Sequence, residues 1–384
     1  MANHLAEPTE SGLYCAAGDF YIDPWLPVSR AVVTHPHSDH AHWGSNHYLV
    51  TEAGERIYRA RLGADANLQT LPYDQSLDIN GVKVSFHSAG HILGSAQVRL
   101  EHKGEVWVVS GDYKLRPDPT CAPFEHVRCH SFISEATFGL PIYHWPDPET
   151  VFQEINDWWR ANQTAGKASV IFAYAAGKAQ RIAASVDASI GPIFTHGAVE
   201  KLMGEYRESG VALPATTPVF EAPPKYDWSQ ALIIAPPSAQ GTPWMRKFGS
   251  ASSAFASGWM SIRGTRRRRS LDRGFVISDH GDWDELLTAI KATEANQVWV
   301  THGYIHVLAR YLREEWGLDG RELKTHFQGE GGSDLPSDAP GEAAISAEAP
   351  DETGEAALGR SQSFTLRWTK QRRPMRKLTP WSIT

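Results

Sequence analysis

A chain of 384 residues, 41% hydrophobic and 21% charged, is long enough for two domains or for one large domain carrying an insertion, and it has the make-up of a soluble globular protein. Its formal charge of -7 is uneven: residues 330–360 hold eight acids and one base, 361–384 hold six bases and no acid, and the body is mildly acidic, so net charge does not exclude a nucleic-acid partner. Three cysteines without CxxC spacing argue against a disulfide framework or a zinc ribbon; the start lacks signal-peptide character and no window approaches ~18 apolar residues, so no membrane span and a cytoplasmic setting are expected.

The first 140 residues read as short strands and turns. Asp19–Asp23 and Ala31–Thr34 are strands, the second running into His35-Pro36-His37-Ser38-Asp39-His40. Val82–Phe86 alternates after the turn signal Asn80-Gly81, and Ala96–Leu100, Val106–Val109 and His130–Ser134 follow. After Pro141 strands alternate with helices. A helix starts near Asp147-Pro148 and runs through Arg160; the strand Ser169–Ala173 precedes a helix from Gly177 through Arg181. Pro192–Thr195, a helix over Val199–Glu208 and Ala231–Ala235 complete an α/β unit with a parallel sheet. The β-rich texture returns at Gly274–Ser278, followed by a helix from Asp282, the strand Gln297–Thr301 and a helix from Val307 to Trp316. The expected division is a core over 1–144 and 271–329, an inserted cap over 145–270, and an acidic linker with a basic tail over 330–384, the linker being disordered by composition.

The H-x-H-x-D-H cluster places four possible metal ligands within six residues at a strand end. Alternation sends His35 and His37 to one side, and burying such a cluster without a cation is costly. The alternative is a solvated histidine-rich turn. The preferred reading is a divalent-metal centre holding two ions, because three more candidates, His91, Asp112 and His302, also lie immediately after short apolar strands. His42, His47, His87, His144 and His196 lack a full ligand context and are assigned to surface or supporting roles, with His87 the one to watch.

Together these residues resemble the metallo-β-lactamase fold superfamily over residues 12 to about 325. The resemblance implies an αββα sandwich. It gives one metal to His35, His37 and His91 and a second to Asp39, His40 and His302. Asp112 bridges them and Asp23 supports the cluster from behind. The inserted unit is similar to that of the β-CASP nuclease branch, an α/β cap. Glu135 in Ser134-Glu135-Ala136-Thr137-Phe138-Gly139, His280 in Ser278-Asp279-His280-Gly281-Asp282-Trp283, the His302-Gly303 step and Gly177-Lys178-Ala179-Gln180 match its motifs. Within that branch, Gly12-Leu13-Tyr14-Cys15, Phe20-Tyr21-Ile22-Asp23-Pro24-Trp25 and Arg273-Gly274-Phe275-Val276-Ile277 resemble the bacterial DNA-ligase-associated exonucleases.

This resemblance implies a metal-dependent phosphodiesterase acting on DNA in repair, beside an ATP-dependent DNA ligase and a helicase. Two divalent ions, zinc or manganese, would activate the hydroxide that attacks the scissile phosphate. Asp39, Glu135 and His280 form the catalytic set, with His280 expected to touch the phosphate and Glu135 to orient it. Lys178 and Arg181 near a helix start, and Arg266 and Arg267 in the basic run, are expected to meet backbone phosphate. RNA processing within the same branch is the alternative substrate reading. A small-molecule metallo-hydrolase and a non-catalytic scaffold are less well matched to the cap and the complete ligand set.

Overall fold

A computed structural model describes residues 4–262 and 272–324; Arg266, Arg267 and everything beyond 324 fall outside the described residues. Six strands open the chain: β1 (Glu7–Pro8), β2 (Leu13–Cys15), β3 (Phe20–Ile22), β4 (Arg30–Val32), β5 (His47–Thr51) and β6 (Leu68–Leu71). They lie side by side in that order, with β3 to β6 parallel. Helix α1 (Glu55–Leu62) supplies the crossover that the parallel neighbours β5 and β6 require. A second sheet begins with β7 (Ser76–Ile79), β8 (Val82–Ser88), β9 (Ala96–His102), β10 (Glu105–Val109) and β11 (Ser131–Ala136).

The chain then leaves both sheets. Helix α2 (Pro148–Thr164), β12 (Ala168–Phe172), α3 (Lys178–Ser185), β13 (Ile193–Thr195), α4 (Gly197–Glu208), β14 (Thr217–Pro218), β15 (Leu232–Ala235), β16 (Ala251–Ala256) and β17 (Arg273–Phe275) build a separate parallel sheet in the order β14-β13-β15-β12-β16-β17. Helix α5 (Trp283–Ala292), β18 (Gln297–Gly303), α6 (Ile305–Trp316) and β19 (Asp319–Glu322) return to the second sheet, where β18 pairs in parallel with β11.

Side-chain alternation explains the layering. Val32 and Leu49 turn inward to meet Phe86, Val98, Trp107 and Ile133 of the second sheet. Ala31, Val33, Tyr48 and Val50 turn outward and are covered by Tyr58 of α1. On the far side Val108, Phe132, Val298 and Val300 are covered by Leu286, Ile290, Leu308 and Leu312 of α5 and α6. Each such side chain stabilises the fold by about 1.5–3 kcal/mol when fully buried. The result is an αββα sandwich with an inserted α/β unit, the architecture implied by the sequence resemblance. The inserted sheet is covered on one face by Ile155, Trp159, Ile182 and Leu202, and on the other by Phe248 and Met260. Ile57 of α1 and Leu93 belong to the first of these clusters, so the inserted unit docks on the sandwich through shared apolar contacts.

One strand lies elsewhere than expected. Arg273–Phe275, read as the reopening of the core, pairs instead with Ala254–Ala256 at the edge of the inserted sheet. A short apolar run specifies a strand but not the sheet it extends. No helix among the described residues is long and apolar enough to cross a membrane.

Candidate metal centre and its histidine–glutamate pair

The candidate ligands collect where strands end. Asp23 follows β3, the His35–His40 cluster follows β4, His91 follows β8 and Asp112 follows β10; Glu135 and His302 lie in the last turns of β11 and β18. β3 and β4 are parallel, as are β10, β11 and β18. Their carboxyl ends therefore share one edge of the sandwich, the place where open α/β sheets generally hold their ligands. A bulge aims His302: Glu135 pairs with Thr301 and Ala136 with Gly303, so His302 is the extra residue. It takes φ 55°, and Gly303 follows at φ 68°, where a Cβ would sit 2.2 Å from the Ala136 carbonyl oxygen.

Asp112 lies at the centre. Its Oδ2 is 3.4 Å from His35 Nε2, 3.7 Å from His40 Nε2 and 3.9 Å from His91 Nε2. His91 Nε2 is 3.0 Å from His37 Nδ1, and His40 Nε2 is 3.7 Å from Asp39 Oδ2. The donor atoms of His35, His37, His91 and Asp112 all lie within 4.8 Å of one another, as do those of His40, Asp112 and His302. Two overlapping groups thus share Asp112.

The outward nitrogens of four histidines are occupied. His40 Nδ1 donates to Asp23 Oδ2 at 2.7 Å, His91 Nδ1 to the Asp279 carbonyl at 2.7 Å, and His37 Nε2 to the Ala176 carbonyl at 3.3 Å. Thr34 Oγ1 donates to Asp23 Oδ2 at 2.6 Å and lies 3.1 Å from His35 Nδ1, which it can accept. Fixing the N–H on the outer nitrogen leaves a lone pair facing inward, as a metal-binding imidazole requires. The inward His35 Nε2, His40 Nε2 and Asp112 Oδ1 are buried without a hydrogen-bond partner. Orphaned donors and acceptors of this kind are costly unless a cation joins them. The residues present therefore fit a divalent metal.

Electrostatics agree. Burial and the neighbouring imidazoles push His35 and His91 well below the ordinary histidine value; burial brings His37 to about 4 against the opposing charge of Asp39, and burial together with His40 brings His302 to about 4. Burial alone would also lower His40, but Asp112, Asp39 and Asp23 outweigh it and raise His40 to about 10. Burial and Glu135 raise Asp112 to about 7. The carboxylates around His40 thus call for positive charge, and a proton supplies it where no metal does.

Beside this cluster His280 Nδ1 donates to both oxygens of Glu135, at 3.0 and 2.9 Å. Glu135 is 1% exposed and also accepts the Tyr113 N–H at 2.8 Å. Burial would lower His280, yet Glu135 and Asp112 raise it to about 9. The pair adjoins the metal cluster, with His280 Nδ1 4.0 Å from Asp112 Oδ2. Trp25, Asp39, His40, Asp112, Glu135 and His302 line one cleft.

Other expectations meet a different setting. Lys178 and Arg181 were expected to face phosphate, but they are 3% and 4% exposed and paired with Asp279 and Asp118. The burial of α3 against the sandwich removes them from the surface. His87 lies with Asp74 and Glu125, at 3.1 and 2.8 Å from its Nδ1, as a separate partly exposed group. His42, His47, His144 and His196 bond to Asp39, Asn67, Asp284 and the Ala198 N–H. Sequence reasoning missed Thr34, Lys114, Asp118 and Asp279. Thr34 and Asp279 directly precede His35 and His280, which is the one signal that marked them.

No family model matches the chain. It is 31% identical over 355 residues to "Probable DNA ligase" of Opitutus terrae, covering 90% of this chain and 34% of that protein. It is 28% identical to "RNase J-like protein" of Methanocaldococcus jannaschii, over 46% of this chain and 44% of that one, and 28% identical to "Endoribonuclease YSH1" of Yarrowia lipolytica, over 41% and 20%. The chain thus spans from a fifth to less than half the length of these relatives. Its fold is similar to a crystal structure of a protein of unknown function from Enterococcus faecalis, with TM-score 0.50 and 11% identity over 78% of this chain and 80% of that one. With the αββα sandwich, the inserted α/β unit and the shared strand-end cluster, these relatives lead to one conclusion: the chain belongs to the β-CASP branch of the metallo-β-lactamase fold superfamily.

Proposed function

We propose that this chain is a metal-dependent phosphodiesterase that cleaves DNA during repair. The carrying observation is the joining of a shared-carboxylate ligand cluster to a buried Glu135–His280 pair. His35, His37, His91 and Asp112 would hold one divalent ion, and Asp39, His40, His302 and Asp112 a second; imidazole and carboxylate donors suit zinc or manganese. When bound, such ions supply Lewis acidity towards a phosphoryl oxygen and towards a water.

The chain's own groups divide the proton work. Glu135 fixes His280 through Nδ1, and its charge favours the protonated imidazole. Its Nε2–H then gives a proton to the oxygen that leaves phosphorus, while the Asp39 carboxylate, 42% exposed at the cleft, takes one from the water. The inserted unit reaches this edge, where its Ala176 carbonyl accepts His37 Nε2.

DNA is favoured because the match reaching 90% of the chain is to a protein named as a DNA ligase, whereas those to "Endoribonuclease YSH1" of Yarrowia lipolytica and "RNase J-like protein" cover less than half. Work beside an ATP-dependent ligase belongs to the same reading. RNA cleavage is the second reading, supported by the names of those shorter matches. Matched end-labelled single-stranded DNA and RNA, incubated side by side with manganese or zinc, decide between them. DNA cleavage well above RNA is expected; preferential RNA cleavage would move the protein to RNA processing.

A further inference from the structure

Five charged residues that the proposed chemistry does not use are buried together behind His91. The side chains of Lys114, Asp118, Lys178, Arg181 and Asp279 are each no more than 5% exposed. They come from three separate stretches: the loop after Asp112, helix α3 of the inserted unit, and the segment carrying His280. Lys114 Nζ donates to Asp118 Oδ2 at 2.7 Å and to the His91 carbonyl at 3.4 Å. Arg181 Nε is 3.4 Å from Asp118 Oδ2, its Nη1 donates to the Ser278 carbonyl at 2.7 Å, and Lys178 Nζ is 3.4 Å from Asp279 Oδ2. The backbone of Asp279 meets the candidate ligand: its carbonyl accepts His91 Nδ1 at 2.7 Å. Contact is close on the apolar side too, since a Cβ on Gly177 would lie 2.2 Å from Ile92 Cγ2.

Well-packed apolar residues often serve stability as well as buried ion pairs do, so a cluster of this size is poorly explained by stability alone. What it does accomplish is geometric. The α3 cations hold the 278–280 backbone, and that backbone orients His91.

Building on the metal-centre reading above, we propose that Lys178 and Arg181 are positioning residues for His91, so that docking of α3 and metal binding are coupled. Acceptors that orient ligand histidines typically change metal affinity by about 10–100-fold when disturbed. The coupling is reciprocal: a docked α3 tightens metal binding, and bound metal steadies α3.

Titration of the full, metal-free chain with manganese, combined with hydrogen exchange across residues 178–185, tests this. Arg181→Met is expected to bind manganese about tenfold more weakly. Arg181→Lys, which keeps a cation beside Asp118, should recover part of the loss. Arg160→Met, which removes the exposed pair with Asp187 elsewhere in the inserted unit, should bind like the parent. In the parent, manganese should slow exchange across 178–185. Undiminished affinity in a folded Arg181→Met, or exchange across 178–185 that ignores manganese in the parent, would overturn the coupling. Should Arg181→Met fail to fold, the parent's exchange decides by itself. A parent that binds no manganese or zinc would instead sink the metal-centre reading and the coupling with it.

Discussion

Asp23 serves three donors with one carboxylate: the Thr34 N–H at 2.8 Å, the Thr34 hydroxyl at 2.6 Å and His40 Nδ1 at 2.7 Å. It does so at φ 44°, and His302 sits at φ 55°, so two residues of the site adopt backbone that side chains other than glycine seldom take. Strain of this sort costs about 1–3 kcal/mol and persists where the surroundings enforce it. Asp23→Asn leaves the shape but weakens the acceptor that orients His40. Metal analysis of the purified variant should show one ion lost preferentially, with affinity down about 10–100-fold; equal retention of both ions would argue against Asp23 as the orienting group. At this scale the candidate ligands that cluster in the fold were legible because they close apolar runs, as His35 closes Ala31–Thr34 and Asp112 closes Val106–Ser110. The outer partners were not, because Asp279 acts through its carbonyl, which any residue possesses. Lys178 and Arg181 looked like phosphate contacts because a sequence shows charge near a helix start and not what covers it.

Helix α5 shows how an element aims His280, the histidine proposed to act as the acid. Its cap, Asp282, accepts the Glu285 N–H at 3.0 Å, the Trp145 N–H at 2.7 Å and Arg116 Nη2 at 3.3 Å. Trp145 Nε1 in turn donates to the His280 carbonyl at 2.9 Å. Asp282→Ala removes the cap and leaves two further donors unmet, so chemical denaturation should report a loss of about 2 kcal/mol or more. A loss within ~0.5 kcal/mol would mean that the three bonds to Asp282 add no net stability. Elements with strong apolar runs, such as β12 and β15, were read at nearly their observed bounds. Those over His47–Leu71 were not: α1 is a helix of only 8 residues that mixes charged with apolar side chains, and β6 is half-buried along most of its length. β16, Ala-Ser-Ser-Ala-Phe-Ala, has no β-branched residue to mark it, although it pairs along its length with β12. The bulge at His302 arises from pairing between distant strands, which local patterns do not encode.

Across the whole molecule, charge ties folding and metal binding to pH. His40, raised to about 10, and Asp112, raised to about 7, must both lose protons to become ligands. Metal binding should therefore release protons, more at pH 6 than at pH 8, and tighten as pH rises. Calorimetry in buffers of different ionisation enthalpy checks this; heats independent of buffer would count against it. Burial would raise Asp118, but Lys114 and Arg181 hold it below its ordinary value of 3.8. A carboxyl lowered on folding adds stability above the unfolded value, and that stability is lost as pH falls through the folded one. Asp118→Asn should accordingly flatten the acid side of the stability curve, below about pH 4. The central claim is that the ligand cluster and His280 together cleave a phosphodiester. It is met most directly by timing the cleavage of end-labelled single-stranded DNA by the manganese-loaded chain and by His280→Ala of equal metal content. Cleavage slowed by about 10²–10⁴-fold in the variant, with both ions still bound, is the expected result. Equal rates in the two proteins, or no cleavage by either when fully loaded, would contradict it.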